Sequence, residues 1–176
     1  MRQLADAGHI RQLMCALGAE VDQASRLYFT GGASAVLVGW RLTTIDVDIR
    51  IFPENDRLLR AIPHLKEQLH LNIKLACPAD FIPALPGWED RSLYIVNEGL
   101  VAFYHYDFYA QALAKIERGH RQDLQDVRAM LDRRLIDPTT VRRYFDDIEP
   151  LLYRYPAIHP PSFRQAVEQM LDEKLD

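Results

Sequence analysis

Two short groups of residues in this sequence have the types and spacing to bind a nucleotide together with a metal ion. Gly31 and Gly32 follow the strand-like run RLYFT, and after a spacer of thirteen residues Asp46 and Asp48 lie two positions apart in TTIDVDIRI. Two carboxylates at positions i and i+2 on one strand face can bind Mg²⁺, which takes few protein oxygens and completes its shell with water and phosphate. Glycines let phosphate oxygens approach the backbone amides of a turn.

The aspartate pair also has a simpler interpretation. An isolated Asp-x-Asp on a strand most often only solvates the exposed face of an edge strand. Here the glycine pair lies between a predicted strand and a predicted helix, and the aspartates lie on an alternating strand, so each group is on the element that its chemistry requires. A cation bound there would bridge phosphate oxygens and neutralise charge during in-line transfer. The two groups together therefore predict a phosphoryl-transfer site.

The apolar pattern predicts the elements that position these residues. Residues 27–30 read as a short buried strand and residues 33–40 as a helix of small residues. From residue 44 to residue 51 the alternation is strict and predicts a strand with one apolar and one polar face. The apolar face consists of Ile45, Val47, Ile49 and Ile51, and the polar face of Thr44, Asp46, Asp48 and Arg50.

The rest of the chain predicts a short mixed sheet followed by helices. The expected elements are a helix over 3–19, a helix over 53–69 that Pro63 kinks or splits, a strand over 71–76, a proline-rich loop over 77–88, a hairpin over 91–106, and helices from residue 107 onward. The fold class is thus α/β or α+β. We expect a sheet domain over residues 1–106 and a C-terminal helical region over residues 107–176 that packs on it.

Composition limits the class of protein. The chain has 176 residues, of which 48% are hydrophobic, enough for one compact domain with or without a helical extension. Its 21 basic and 25 acidic residues give a net charge of −4, so the surface is not basic throughout and any nucleic-acid contact must be a local basic patch. Two cysteines, no charged region followed by an apolar core at the start, and no long apolar run favour a soluble cytoplasmic protein with no membrane partner.

The run TGG…IDVDI resembles the signature of the polymerase β-like nucleotidyltransferase superfamily: a hydrophobic residue, two small residues, a spacer, and an acidic-hydrophobic-acidic strand. More narrowly, FTGGASAV…RLTTIDVDI followed by DFYAQALAKIERGHRQDLQDV resembles the bacterial nucleotidyltransferase-like domains related to AbiEii toxins of toxin-antitoxin and abortive-infection pairs. The resemblance covers roughly residues 26–131. It implies a nucleotidyltransferase-type sheet with flanking helices.

The resemblance implies a role for each residue that matches the motif. Asp46 and Asp48 would be the catalytic metal ligands, and Gly31, Gly32 and Ser34 would form the turn that binds the nucleotide phosphates. The remaining matches are Arg41 and Thr44 just ahead of the first aspartate, with Arg41 offset by one position, Lys115 and Arg118 as ligands of the triphosphate, and Asp123 and Asp126 as orienting or structural residues.

The sequence departs from the superfamily pattern at one position. A later strand usually carries a third carboxylate that binds a second metal or acts as general base. The strand LNIKLA has Lys74 there, and an ammonium group cannot ligate a cation. Another acid such as Asp80 could take over, one metal could suffice, or the domain could have lost catalysis.

The function that the resemblance implies is transfer of a nucleoside monophosphate from an NTP to a hydroxyl group, with Mg²⁺ or Mn²⁺ as cofactor. It further implies an RNA acceptor such as a tRNA end, and a toxin restrained by a cognate antitoxin. Residues 111–143 hold eight basic and five acidic side chains, which favours a local polyanion surface, although salt bridges on a solvated helix explain the same charges. The alternatives are a degenerate domain that binds without turnover and a transferase acting on a small molecule such as an aminoglycoside. Homo-oligomerisation stays open.

Overall fold

The computed structural model describes residues 3–172, which form five strands, eight α-helices and two 3₁₀ segments. The strands are β1 (Ser25–Thr30), β2 (Asp46–Ile51), β3 (Asn72–Leu75), β4 (Leu93–Glu98) and β5 (Val101–His105). The α-helices are α1 (Ala7–Gly18), α2 (Gly31–Val38), α3 (Asp56–Gln68), α4 (Trp88–Arg91), α5 (Phe108–Arg118), α6 (Arg121–Asp132), α7 (Pro138–Ile148) and α8 (Pro160–Asp172), and the 3₁₀ segments are Pro78–Asp80 and Glu149–Arg154. Among these described helices, none has both the length and the apolar character needed to cross a bilayer.

The five strands form one mixed sheet in the order β3-β2-β1-β5-β4. β1 pairs antiparallel with β2 and parallel with β5, whereas β3 runs parallel to β2 and β4 antiparallel to β5. The register places Thr30 opposite Asp48, and Asp48 opposite Lys74. Directly opposed residues project from the same sheet face, so these three side chains share one face. The mixed sheet with flanking helices confirms the predicted fold class.

The other face of the sheet is apolar and buried. The alternation of β2 places Val47, Ile49 and Ile51 in the core, as predicted, together with Leu27 and Phe29 of β1. Helices α1 and α3 cover this core because each presents an apolar stripe at helical spacing. The stripes consist of Ile10, Leu13, Met14 and Leu17 on α1 and of Leu58, Ala61, Ile62 and Leu65 on α3.

The chain divides into two compact units, described separately here. Residues 3–77 and 92–106 form the sheet unit, and residues 78–91 and 107–172 form the helical unit. The sequence predicted residues 78–91 in the sheet part, whereas the structure groups them with the helical unit. Within the helical unit, Arg91 donates from Nη2 to Oδ2 of Asp107 at 2.8 Å, and the Tyr155 hydroxyl donates to the Ala79 carbonyl at 3.3 Å. These contacts join residues distant in sequence, so local patterning could not predict them.

Two local expectations also differ from the structure. α3 runs without a break through Pro63, although a kink or split was predicted there. The buried Ala61, Ile62 and Leu65 on either side of the proline hold the helix against the core, which outweighs the missing N–H donor. Ile45, predicted on the apolar face, is 69% exposed because β2 begins only at Asp46.

Candidate active site

The glycine turn and the second aspartate lie directly against each other in the sheet unit. Gly31 begins α2 immediately after β1 and has a φ of +61°, a conformation that glycine adopts without steric cost. A Cβ atom at this position would lie 3.0 Å from Oδ2 of Asp48. The side chain of Thr30, which precedes the helix, makes no capping hydrogen bond. The Asp48 carboxylate therefore borders the backbone at the start of α2.

The segment before β2 packs on the second glycine of the turn. A Cβ atom on Gly32 would overlap Oγ1 of Thr44 and would lie 3.3 Å from Nη1 of Arg41. The Thr44 hydroxyl donates to the backbone carbonyl of Asp46 at 2.9 Å, and its backbone N–H donates to the carbonyl of Ala5 at 2.9 Å. Thr44 thus joins the turn to the first aspartate. The structure brings these predicted residues together, and their role as nucleotide ligands stays a prediction.

The first aspartate is held by two side chains of β3. Nζ of Lys74 lies 2.8 Å from Oδ2 of Asp46, and Nδ2 of Asn72 donates to Oδ1 of the same carboxylate. The side chains of Lys74 and Asp46 remain 51% and 34% exposed. The sequence indicated Lys74 as a departure from the family pattern but did not predict that it pairs with Asp46, because that contact depends on the register between two strands.

Ser34 points away from the turn surface. Its hydroxyl donates to the backbone carbonyl of Phe29 at 3.0 Å, and its oxygen lies 3.1 Å from Nδ1 of His105. The residue is fully buried. The Ser34 hydroxyl thus bonds to groups inside the sheet unit, where it supports the turn. Its role as a phosphate ligand stays a prediction.

His105 belongs to this inner support, which local sequence pattern could not predict because Ser34 and His105 lie far apart in the chain. It ends β5, the strand that pairs with β1 on the side opposite β2. Burial lowers the pKa of the His105 imidazole to about 4, so the ring is neutral near pH 7. A neutral ring can donate or accept a hydrogen bond towards Ser34 without placing a charge beneath the turn.

The predicted basic and acidic residues near residue 120 form a buried cluster within the helical unit. Nζ of Lys115 lies 2.7 Å from Oδ2 of Asp126 and 3.3 Å from Oδ1 of Asp123. Nε of Arg118 donates to Oδ2 of Asp123 at 2.7 Å. The side chains of Lys115, Asp123 and Asp126 are 8%, 2% and 0% exposed. We call these residues, with Arg118, the α5–α6 cluster.

Within the α5–α6 cluster, the positive charges of Lys115 and Arg118 balance the negative charges of Asp123 and Asp126. Burial alone would raise the pKa of Asp123, but the hydrogen bonds and positive charges of Arg118 and Lys115 outweigh it and hold that pKa below its ordinary value. Gly119, with a φ of +69°, ends α5 and lets the chain turn into α6. The orienting or structural role predicted for the two aspartates is consistent with these contacts. A role of Lys115 and Arg118 at the triphosphate stays a prediction.

The polar sheet face offers two carboxylates, those of Asp46 and Asp48, as possible metal ligands. β3 contributes an amide and an ammonium group beside them, and within residues 3–172 no group of three or more His, Cys, Asp or Glu is placed to hold a metal. Asp80, the alternative third acid, is exposed and belongs to the helical unit. A Mg²⁺ ion held by one or two carboxylates and by phosphate oxygens suits the donor set of Asp46 and Asp48.

Comparison with known families assigns the chain that carries this glycine turn and aspartate strand to one family. The model of the family described as nucleotidyltransferase of unknown function (DUF6036) matches residues 9–159. The chain belongs to this family. The match includes the glycine turn, both aspartates, Lys74 and the α5–α6 cluster. No curated protein and no solved structure matches the chain significantly. The match shows a nucleotidyltransferase family, and the predicted relation to AbiEii-type toxins stays a prediction.

Proposed function

We propose that this member of the nucleotidyltransferase family transfers a nucleoside monophosphate from an NTP to a hydroxyl group in a Mg²⁺-dependent or Mn²⁺-dependent reaction. The observation that carries the proposal is the contact between the turn and the strand: Oδ2 of Asp48 would lie 3.0 Å from a Cβ on Gly31. A phosphate bound at the backbone of the turn would then lie next to a carboxylate-bound cation. That arrangement suits in-line phosphoryl transfer.

The residues of the sheet unit have separate tasks in this proposal. Asp46 and Asp48 would hold the cation, which supplies neutralisation of the charge on the phosphate oxygens. The start of α2 at Gly31 and Gly32 would bind phosphate oxygens through backbone amides, aided by the positive end of the helix dipole. The acceptor hydroxyl gives its proton to water as its oxygen bonds to the α-phosphorus. The bond from the α-phosphorus to the oxygen that bridges it to the β-phosphorus breaks, and pyrophosphate leaves with that oxygen.

We further propose RNA, in particular a tRNA end, as the acceptor, and a toxin activity that a cognate antitoxin restrains. The resemblance to AbiEii-related domains supports this, and so do exposed basic side chains in the helical unit, which suit a polyanion. These exposed side chains are Arg118, Arg121, Arg128, Arg133 and Arg134.

An aminoglycoside-type acceptor has less support. Such a polycation requires an acidic, drug-sized cleft. A cavity of about 390 Å³ in the helical unit is lined by Tyr109, Arg134, Asp137 and apolar residues. Its lining holds one arginine and one aspartate, so this cavity is not the acidic cleft that an aminoglycoside acceptor requires.

A second candidate function is nucleotide binding without turnover. The ion pair between Lys74 and Asp46 at 2.8 Å favours it, because the ammonium group occupies a carboxylate that the transferase requires for its cation. A lysine that stays on Asp46 after the nucleotide binds leaves only Asp48 for the metal.

One experiment separates the two functions. The purified protein is incubated with Mg²⁺, each α-labelled NTP in turn and total bacterial RNA, beside an Asp46→Asn, Asp48→Asn double variant. Label that enters RNA only with the intact aspartates supports the transferase and identifies its nucleotide. Aspartate-dependent NTP binding by calorimetry without any labelling supports the binding function. If neither occurs, the aspartates only solvate the sheet face.

A further inference from the structure

The ion pair between Lys74 and Asp46 joins residues that are not directly opposed in the strand register, and it is partly exposed to water. Lys74 lies directly opposite Asp48 in the register, yet its Nζ reaches Oδ2 of Asp46 at 2.8 Å. Both side chains are partly exposed, at 51% and 34%. An ion pair in contact with water contributes little to stability, because water and salt screen it and the long side chain loses conformational freedom. The contact can therefore break without disturbing the fold.

Asn72 holds the same carboxylate from its other side. Its Nδ2 donates to Oδ1 of Asp46, so the two β3 side chains contact different oxygens of one carboxylate. Loss of the Lys74 contact alone would leave Asp46 oriented by Asn72. Oδ2 would then be the oxygen available to a cation.

A divalent cation and the Lys74 ammonium group compete for Oδ2 of Asp46. Two positive charges within a few ångströms of each other repel, and both cannot contact the same oxygen. A triphosphate changes this competition, because its oxygens attract the ammonium group and also bind the divalent cation. The metal alone must displace Lys74 from Asp46, whereas the metal with a nucleotide gives Lys74 a new anionic partner.

We propose that Lys74 is a releasable cation that occupies Asp46 in the absence of substrate and moves to the triphosphate when an NTP binds, so that the metal and the nucleotide bind cooperatively. The inference rests on the proposed nucleotide site and assigns this chain's departure from the three-carboxylate pattern a function within it. Lys74 then excludes the free metal and contributes positive charge to the bound triphosphate. By linkage, the nucleotide strengthens metal binding by the same factor as the metal strengthens nucleotide binding.

The test measures Mn²⁺ binding by electron paramagnetic resonance, first with the metal alone and then with a mixture of the four NTPs in non-hydrolysable α,β-imido form. The proteins are the wild type, Lys74→Gln and Lys66→Gln, the last removing the same charge from α3 of the same unit. We expect Lys74→Gln to bind Mn²⁺ alone at least about tenfold more tightly than the wild type, since removal of the competitor exposes Oδ2. We expect Lys66→Gln to match the wild type.

The nucleotide mixture should tighten Mn²⁺ binding to the wild type at least about tenfold and tighten binding to Lys74→Gln clearly less. Equal Mn²⁺ affinity of the wild type and Lys74→Gln, within about twofold, would overturn the inference while aspartate-dependent transfer still supports the proposed function. If no protein binds Mn²⁺ with or without nucleotide, both the inference and the proposed function are wrong. Circular dichroism of each variant checks that it is folded.

Discussion

Within residues 3–172, lysine contacts aspartate in two groups, and these groups differ in their exposure to water. In the sheet unit, Lys74 and Asp46 form an exposed pair at 2.8 Å. In the helical unit, Lys115 lies between two carboxylates and is 8% exposed. The same lysine–aspartate interaction therefore has opposite consequences in the two groups. Water can replace either partner of the Lys74–Asp46 pair, whereas no water replaces a partner lost from the buried group around Lys115. The buried group maintains structure, and the exposed group can exchange ligands.

The largest expected effect comes from breaking the α5–α6 cluster. Lys115→Met leaves Asp123 and Asp126 buried beside each other without the ammonium group, and the free energy of unfolding should fall by about 3–5 kcal/mol. Urea denaturation measures this. Adding Asp126→Asn to Lys115→Met should recover part of the loss, because it removes one uncompensated charge. A loss of less than about 1 kcal/mol for Lys115→Met would mean that the buried cluster behaves like an exposed pair.

The two units should also differ in their response to pH. The pKa of His105 is lowered to about 4 from 6.5, so the unfolded chain takes up this proton before the folded one does. Stability from neutral His105 is therefore lost as the pH falls from 6.5 to 4, by at most about 1.4 kcal/mol per pH unit. We expect the free energy of unfolding, measured by denaturant titration between pH 4 and 7, to depend less steeply on pH for His105→Gln than for the wild type.

Asp123 also loses its contribution to stability as the pH falls, but at lower pH than His105. Its folded-state pKa is lowered, so its contribution to stability is present above the ordinary carboxyl pKa and is lost only as the pH falls below it. Asp123→Asn should therefore change the pH dependence of the free energy of unfolding below about pH 4 and leave the slope between pH 5 and 7 unchanged. A changed slope above pH 5 would contradict this assignment.

A smaller effect is expected from an alanine in the glycine turn. Gly31→Ala places a Cβ at a φ of +61° and 3.0 Å from Asp48 Oδ2, so it should lower the free energy of unfolding by about 1–2 kcal/mol and weaken NTP binding. Gly39→Ala is the matched control, because Gly39 also has a positive φ but a Cβ there meets no atom within 4 Å. Calorimetry should show weakened nucleotide binding only for Gly31→Ala. Equal binding by both variants would argue against a phosphate at this turn.

The smallest expected effect on stability is that of Lys74→Gln. The exposed pair should contribute less than about 1 kcal/mol to the free energy of unfolding, measured in the same denaturant as Lys115→Met. A cost of about 3 kcal/mol or more would place Lys74 in the same class as Lys115 and exclude it as a releasable cation.

Local sequence pattern predicts part of this structure. The features that it does not predict depend on contacts between residues distant in sequence. The alternation of β2 and the glycines after β1 are local signals, so the polar sheet face and its turn followed from residue types alone. The pairing of Lys74 with Asp46 depends on the register between β2 and β3. The inward direction of Ser34 depends on His105 at the end of β5, and residues 78–91 belong to the helical unit through contacts with Asp107 and the region near Tyr155. No pattern within one segment contains these contacts.

In the proposed function the polar sheet face, and not the α5–α6 cluster, carries the chemistry. The most direct test measures pyrophosphate release from the four NTPs with Mg²⁺ and total bacterial RNA, comparing the wild type with Asp48→Asn. We predict that Asp48→Asn folds normally and releases pyrophosphate at least about a hundredfold more slowly, because it removes a carboxylate beside the phosphate turn. Pyrophosphate release at the wild-type rate by a folded Asp48→Asn protein would exclude Asp48 from the catalytic site.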